Sequence, residues 1–125
     1  MLISPKIVEL DFVELELHPD YLISTINEGV VFEKEHLVIF YNLFEEYYPN
    51  QKFGYISNRK FDYSVNPTCY LESERFPNLL GMAMWCHSES SYKTTQFEKT
   101  FYDRPFSAFY SLEDCKNWIK DIILK

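Results

Sequence analysis

Cys86 and His87 stand side by side at the end of an apolar run, a thiol and an imidazole of the types that pair in nucleophilic catalysis. Such a pair works only when the base reaches the thiol. Adjacent strand residues point to opposite faces, so these two meet only if the strand has already ended. Free cysteine is also among the most buried residue types, which favours a core thiol at Cys86. The other metal-competent residues are His18, His36, Cys69 and Cys115. No pair shows a C-x-x-C or H-x-x-x-H spacing, so no metal site is expected. Glu45-Glu46 and Glu113-Asp114 are chain neighbours on helix turns, whereas acid–base work needs two carboxyls in one cleft with separated pKa values. Only three glycines occur, which nearly excludes a glycine-rich phosphate loop. No catalytic residue and no cofactor is expected.

Aromatic residues offer a different chemistry. Ten Tyr, eleven Phe and two Trp make up 18% of the chain. Most belong to a core. Tyrosines such as Tyr55 and Tyr63, beside Met82 and Met84, suit a groove that wants an apolar body with a polar tip. Arg59-Lys60, just past a short strand, are placed to meet an anionic group from a loop.

These side chains need a scaffold. The 125 residues, 46% hydrophobic, are enough for one domain with a real core. Ile7 to Leu17 alternates imperfectly and predicts one strand with a wet face; His18-Pro19-Asp20 turns it into an antiparallel second strand, Tyr21–Ile26. Leu37, Phe40, Tyr41, Phe44, Tyr47 and Tyr48 predict a helix over about Glu33 to Tyr48, stopped by Pro49-Asn50. Lys52–Ser57 predicts a third strand, Asn58 to Pro67 a loop, and Thr68 to Phe76 a short helix. The apolar run Leu79–Cys86 predicts a strand buried on both faces, at the centre of the sheet. Tyr92 to Tyr102 predicts a helix with Phe97 and Phe101 on one face. Phe106–Tyr110 predicts the last strand. Ser111 then caps a helix whose stripe is Cys115, Trp118, Ile119, Ile122 and Ile123. Right-handed crossovers make the later strands parallel. The expected architecture is α/β: a mixed sheet of about five strands, an antiparallel N-terminal pair followed by parallel strands, under about four helices.

The net charge of −7 is uneven, with ten acidic residues against two basic ones over 1–50 and nine against ten thereafter. An acidic chain repels phosphate backbones, so nucleic acid is not an expected partner. Three cysteines without a repeated spacing fit reduced thiols. No signal-type segment and no run of 18 apolar residues occurs, so a soluble cytoplasmic protein without an integral membrane segment is expected.

The element order resembles the STAS-like fold, and more closely the bacterial SpoIIAA-like (STAS/SEC14-type) group. The resemblance rests on the helix ending near Tyr48, the short strand at Phe53–Ser57, the central strand Leu79–Cys86 and the helix ending at Arg104-Pro105-Phe106. The closing Ser111-Leu112-Glu113-Asp114 and Trp118-Ile119 helix completes it. STAS domains of the anti-sigma-antagonist type carry a phosphorylatable serine just after the third strand. There this chain has Phe61-Asp62-Tyr63-Ser64-Val65, with Ser64 as the positional match and no following glycine.

The resemblance implies a non-enzymatic regulatory module, with Arg59, Lys60, Asp62, Tyr63 and Ser64 as the surface for a protein partner. The alternative is a binding protein for a small apolar or amphipathic, lipid-like ligand, in a pocket at Tyr55, Tyr63, Met82 and Met84. Monomer and homodimer fit equally.

Overall fold

Runs of β-branched and aromatic residues at period two need a common sheet, and stripes at period 3.6 need that sheet's faces. The computed structural model, which describes residues 4–125, satisfies both demands. Its strands are β1 (Lys6–Glu9), β2 (Val13–Leu17), β3 (Tyr21–Ile26), β4 (Val31–Phe32), β5 (Phe53–Arg59), β6 (Ser64–Val65), β7 (Leu79–Cys86) and β8 (Phe106–Phe109). The helices are α1 (Lys34–Tyr47), α2 (Glu89–Lys99) and α3 (Leu112–Leu124), with a 3-10 helix at Pro67–Arg75. Six strands form one sheet in the order β1-β2-β3-β5-β7-β8, and β4-β6 form a small parallel pair. β1-β2-β3 are antiparallel, whereas β3, β5, β7 and β8 run parallel. The sheet is thus α/β and mixed as expected, with an antiparallel start and parallel later strands.

Three details differ from the sequence reading. Ile7–Leu17 is two strands, so the main sheet has six strands and not five. The chain turns at Leu10–Phe12, where Leu10 N–H donates to Val13 O at 2.9 Å and Asn27 holds the turn through Asp11 O and Phe12 O. The adjacent apolar pair Phe12-Val13, which broke the alternation, marks that turn. Second, β7 lies fifth of six and not at the centre, although β5 and β8 flank it and helices cover both its faces. Third, the segment after β5 is not all loop. β5 continues through Arg59, and Ser64–Val65 pairs with Val31–Phe32.

A register shift decides which side chains face each helix layer. Phe53 pairs with Leu79 and Tyr55 with Met82, so two residues of β5 match three of β7. This bulge reverses the parity of β7. Leu79, Met82, Met84 and Cys86 then lie on the same face as Phe53, Tyr55, Ser57 and Arg59. Two rows cross the sheet on that face, Leu17–Leu22–Tyr55–Met82–Phe106 and Leu15–Ser24–Ser57–Met84–Ala108. α1, the 3-10 helix and α2 cover them. Ile23, Ile56 and Ala83 face the opposite side, where Cys115 and Ile119 of α3 close the second core.

Local signals explain the helix ends. Ser111 Oγ accepts from Asp114 N–H at 3.1 Å, and Ser88 Oγ from Ser91 N–H at 3.0 Å. At α1, His36 Nδ1 accepts the Glu33 N–H at 2.9 Å, half of a capping box in which His replaces the usual Glu or Gln. The end of α1 is pinned to the sheet by Tyr48. Its ring stacks on Phe53 at 4.4 Å, and its hydroxyl lies 2.7 Å from His18 O.

Candidate functional site: an apolar cavity closed by a buried ion pair

Strand parity places Tyr55, Ser57 and Arg59 in line along β5, all facing the α1 side. Met82 and Met84 lie beside them on β7. Above this floor, Leu37, Phe40 and Phe44 of α1 form one wall. Cys69, Tyr70 and Ser73 of the 3-10 helix, with Phe76 just past its end, form another, and Phe32, Tyr63, Val65 and Tyr102 close the sides. The space between them is a cavity of about 60 Å³. Roughly 10–15 Å³ on this scale holds one water, so the cavity takes several waters or a small molecule.

The cavity has two chemically distinct ends. Phe32, Leu37, Phe40, Phe44, Phe76 and Leu79 make the first apolar; Phe40 and Phe44 lie 5.7 Å apart, and Phe44 and Phe76 5.5 Å. The second end holds the guanidinium of Arg59. Its Nη2 donates to Glu98 Oε1 at 2.5 Å and its Nη1 to Glu98 Oε2 at 3.2 Å. Arg59 Nε donates to Ser57 Oγ at 2.8 Å, and Ser57 Oγ lies 3.1 Å from the Tyr63 hydroxyl. Tyr70 donates to Glu98 Oε1 at 2.9 Å. The Tyr63 ring lies 5.0 Å from the guanidinium carbon, a cation–π distance.

Both charged side chains are 6% exposed. Burial by itself would lower the guanidinium's pKa; Tyr63, Tyr70 and the Glu98 carboxylate oppose it and the net direction is upward, so Arg59 carries its charge throughout. Burial raises the phenols of Tyr55, Tyr63 and Tyr70, with Arg59 pulling in the opposite direction at each. Burial likewise pushes Tyr102 up to about 12, and its hydroxyl is enclosed with no hydrogen-bond partner.

Tyr55, Tyr63, Met82 and Met84, read from the sequence as pocket residues, all line this cavity. The residues read as a partner loop divide. Lys60, Asp62 and Ser64 are exposed, whereas Arg59 is buried at the end of β5 and Tyr63 turns inward. Arg59 therefore does not present its charge to an external anion. Its parity with Tyr55 and Ser57 sends it under α2. Ser64 sits on β6 with its N–H bonded to Val30 O at 3.0 Å. The N-cap of the following helix is Asn66, whose Oδ1 accepts from Thr68 N–H at 3.1 Å, so the helix terminus meets Asn66 and not Ser64.

Glu98 is the residue the sequence did not reveal. The sequence puts Phe97 and Phe101 on one face of this helix, but Phe97 is 60% exposed while Thr95 and Glu98 are buried. Phe97 packs instead at 5.2 Å on Phe101, which lies just past the helix end and is itself half-buried against the core that holds Tyr70 and Phe106. Thr95 and Glu98, three residues apart, are a legitimate inward pair, and only the waiting guanidinium makes Glu the better inward residue.

Cys86 and His87 do not combine. Cys86 is buried against Thr95 Oγ1 at 3.9 Å, whereas His87 is exposed, with Nε2 2.7 Å from Asn58 Oδ1 and its ring 4.7 Å from that of Trp85. All three cysteines are buried and free, and burial raises Cys115 to about 12. Among the described residues, no group of three or more His, Cys, Asp or Glu side chains could hold a metal ion. Among the same residues, no helix is long and apolar enough to cross a membrane.

No protein-family model matches the chain, and no curated protein matches it. A solved structure does. An uncharacterised protein of the DUF3478 family with a SpoIIAA-like fold, from Shewanella loihica PV-4, superposes with a TM-score of 0.56 at 12% identity. The match covers 95% of this chain and 98% of that one. The fold is accordingly SpoIIAA-like, a STAS-like α/β domain.

Proposed function

We propose that this STAS-like domain is a non-enzymatic binding module whose cavity takes a small, largely apolar ligand. The observation that supports the reading is the cavity itself. Protein interiors contain few voids larger than a water, and unfilled space of this order costs about 1 kcal/mol in lost contacts. An occupant would restore them. The cavity's roof is the least regular element of the fold, Pro67–Arg75, in which two short 3-10 pieces meet at a kink at the non-helical Glu72. Short 3-10 pieces have poorer hydrogen-bond geometry than an α-helix, and a kink separates these two, so this roof is the segment best suited to give way for entry. The test is native mass spectrometry of gently purified protein, followed by an NMR titration with toluene. Bound mass, or shifts confined to the methyl and aromatic signals of the lining residues, is the expected outcome. A clean apo mass together with no response to toluene would refute the reading.

A regulatory role through a protein partner is the second reading, supported by the loop after β5. Lys60, Phe61, Asp62 and Ser64 face outward there, while Tyr63 between them lines the cavity. One loop thus touches both the surface and the ligand space, so occupancy would be felt at the partner face. Capture of a specific partner from the native extract should fail with Phe61→Ser. Equal capture by both proteins would remove this second reading.

A further inference from the structure

We infer that the polar end of the cavity recognises an uncharged hydrogen-bonding group, a hydroxyl or a carbonyl, and rejects a carboxylate; this rests on the ligand-binding reading above. A buried arginine in an otherwise apolar cavity suggests an anion receptor at first sight. The hydrogen bonds oppose that. Arg59 spends two of its three nitrogens on Glu98 and the third on Ser57. Its Nη2 also reaches the Tyr70 hydroxyl at 3.2 Å and Met84 Sδ at 3.3 Å. The charge is matched one for one inside the protein. A ligand carboxylate would leave the cluster with a net negative charge, next to Glu98 and in surroundings that solvate it poorly.

Neutral groups meet different terms. The hydroxyls of Tyr63, Tyr70 and Ser57 already form a chain around the ion pair, and such a chain extends to one more hydroxyl or carbonyl without moving a charge. The aromatic lining at the opposite end and the small volume favour a ring or a short chain as the body. The chemical class is therefore a small aromatic or short-chain alcohol, phenol, aldehyde or ketone.

A matched series tests this. Toluene, benzyl alcohol and benzoate share one body and differ in the head. Their dissociation constants for the full chain are measured near neutral pH by NMR titration, beside the Glu98→Gln variant. Benzyl alcohol should bind more tightly than benzoate by roughly ten-fold or more, and more tightly than toluene. Glu98→Gln removes the internal counter-charge and should reverse the order of alcohol and benzoate. Benzoate binding as well as the alcohol to the unaltered protein overturns the inference and leaves the ligand-binding reading standing. So does toluene binding as well as the alcohol. No response to any of the three overturns the cavity reading and this inference together. The unaltered protein decides the matter should Glu98→Gln not fold.

Discussion

The guanidinium of Arg59 and the carboxylate of Glu98, 39 residues apart in the chain, meet as a two-pronged pair inside the α1 side of the domain. One comes from the end of β5 and the other from α2, so the contact joins a strand to the helix packed across its neighbours. Removing one partner leaves a buried charge uncompensated. Glu98→Ala should therefore cost about 3–5 kcal/mol in urea unfolding. Replacing both, as Arg59→Met with Glu98→Leu, should cost much less than the sum of the single changes. Additive costs would show that the two side chains do not depend on each other.

Tyr102 carries an enclosed hydroxyl without a partner. A buried unpaired polar group costs about 1–3 kcal/mol, and phenylalanine keeps the ring contacts with Tyr70 and Phe106 at 6.2 and 6.0 Å. Tyr102→Phe should leave stability unchanged or raise it by about 1 kcal/mol. A clear loss in the thermal midpoint would mean that the hydroxyl has a partner in solution.

Alkaline pH should loosen the fold before it loosens most proteins of this size. Burial raises the phenols of Tyr55, Tyr63 and Tyr70, and pushes Tyr102 and the Cys115 thiol up to about 12. The unfolded chain releases these protons from about pH 9 to 10, whereas the folded chain holds them. Folded protein then binds more protons than unfolded, so stability is full below about pH 9 and falls as pH rises toward 12. Each such group contributes a slope of about 1.4 kcal/mol per pH unit in that window. Urea midpoints at pH 7, 9 and 10.5 would check the sign, with phenolate absorbance showing several tyrosines silent until unfolding. Constant midpoints across that range would contradict the burial.

Gly54 lets α3 approach the sheet. A Cβ built there would lie 2.5 Å from both Cδ1 and Cγ2 of Ile119, itself 1% exposed. Gly54→Ala should cost about 1–3 kcal/mol by overpacking. Adding Ile119→Val, which removes the Cδ1 methyl, should recover part of the loss. The comparison of the two chemical-denaturation midpoints tests it.

Much of this architecture was legible in local pattern. Leu79–Cys86 and the Ser111-capped closing helix have the bounds expected from an apolar run and from a cap followed by a period-3.6 stripe. Those signals live within a few residues of one another, and so does the turn that splits Ile7–Leu17 once Phe12-Val13 is taken as its mark. Tyr55, Tyr63, Met82 and Met84 could be singled out because tyrosine and methionine suit an irregular, half-polar groove wherever it forms.

The ion pair could not be seen that way. Arg59 looks like a loop cation unless β5 is extended to it, and Glu98 looks like a solvated helix residue beside two phenylalanines. Which face of α2 turns inward depends on what the sheet offers, and the sheet offers a guanidinium. Even the face of β7 that meets α2 is set by a one-residue bulge against β5. The chain's own periodicity therefore determined the elements and their amphipathic character. Only the packing of elements that bring together residues 11 to 39 positions apart decided which polar groups share one cavity, because pairing register and charge compensation are properties of contacts between elements and not of any single stretch.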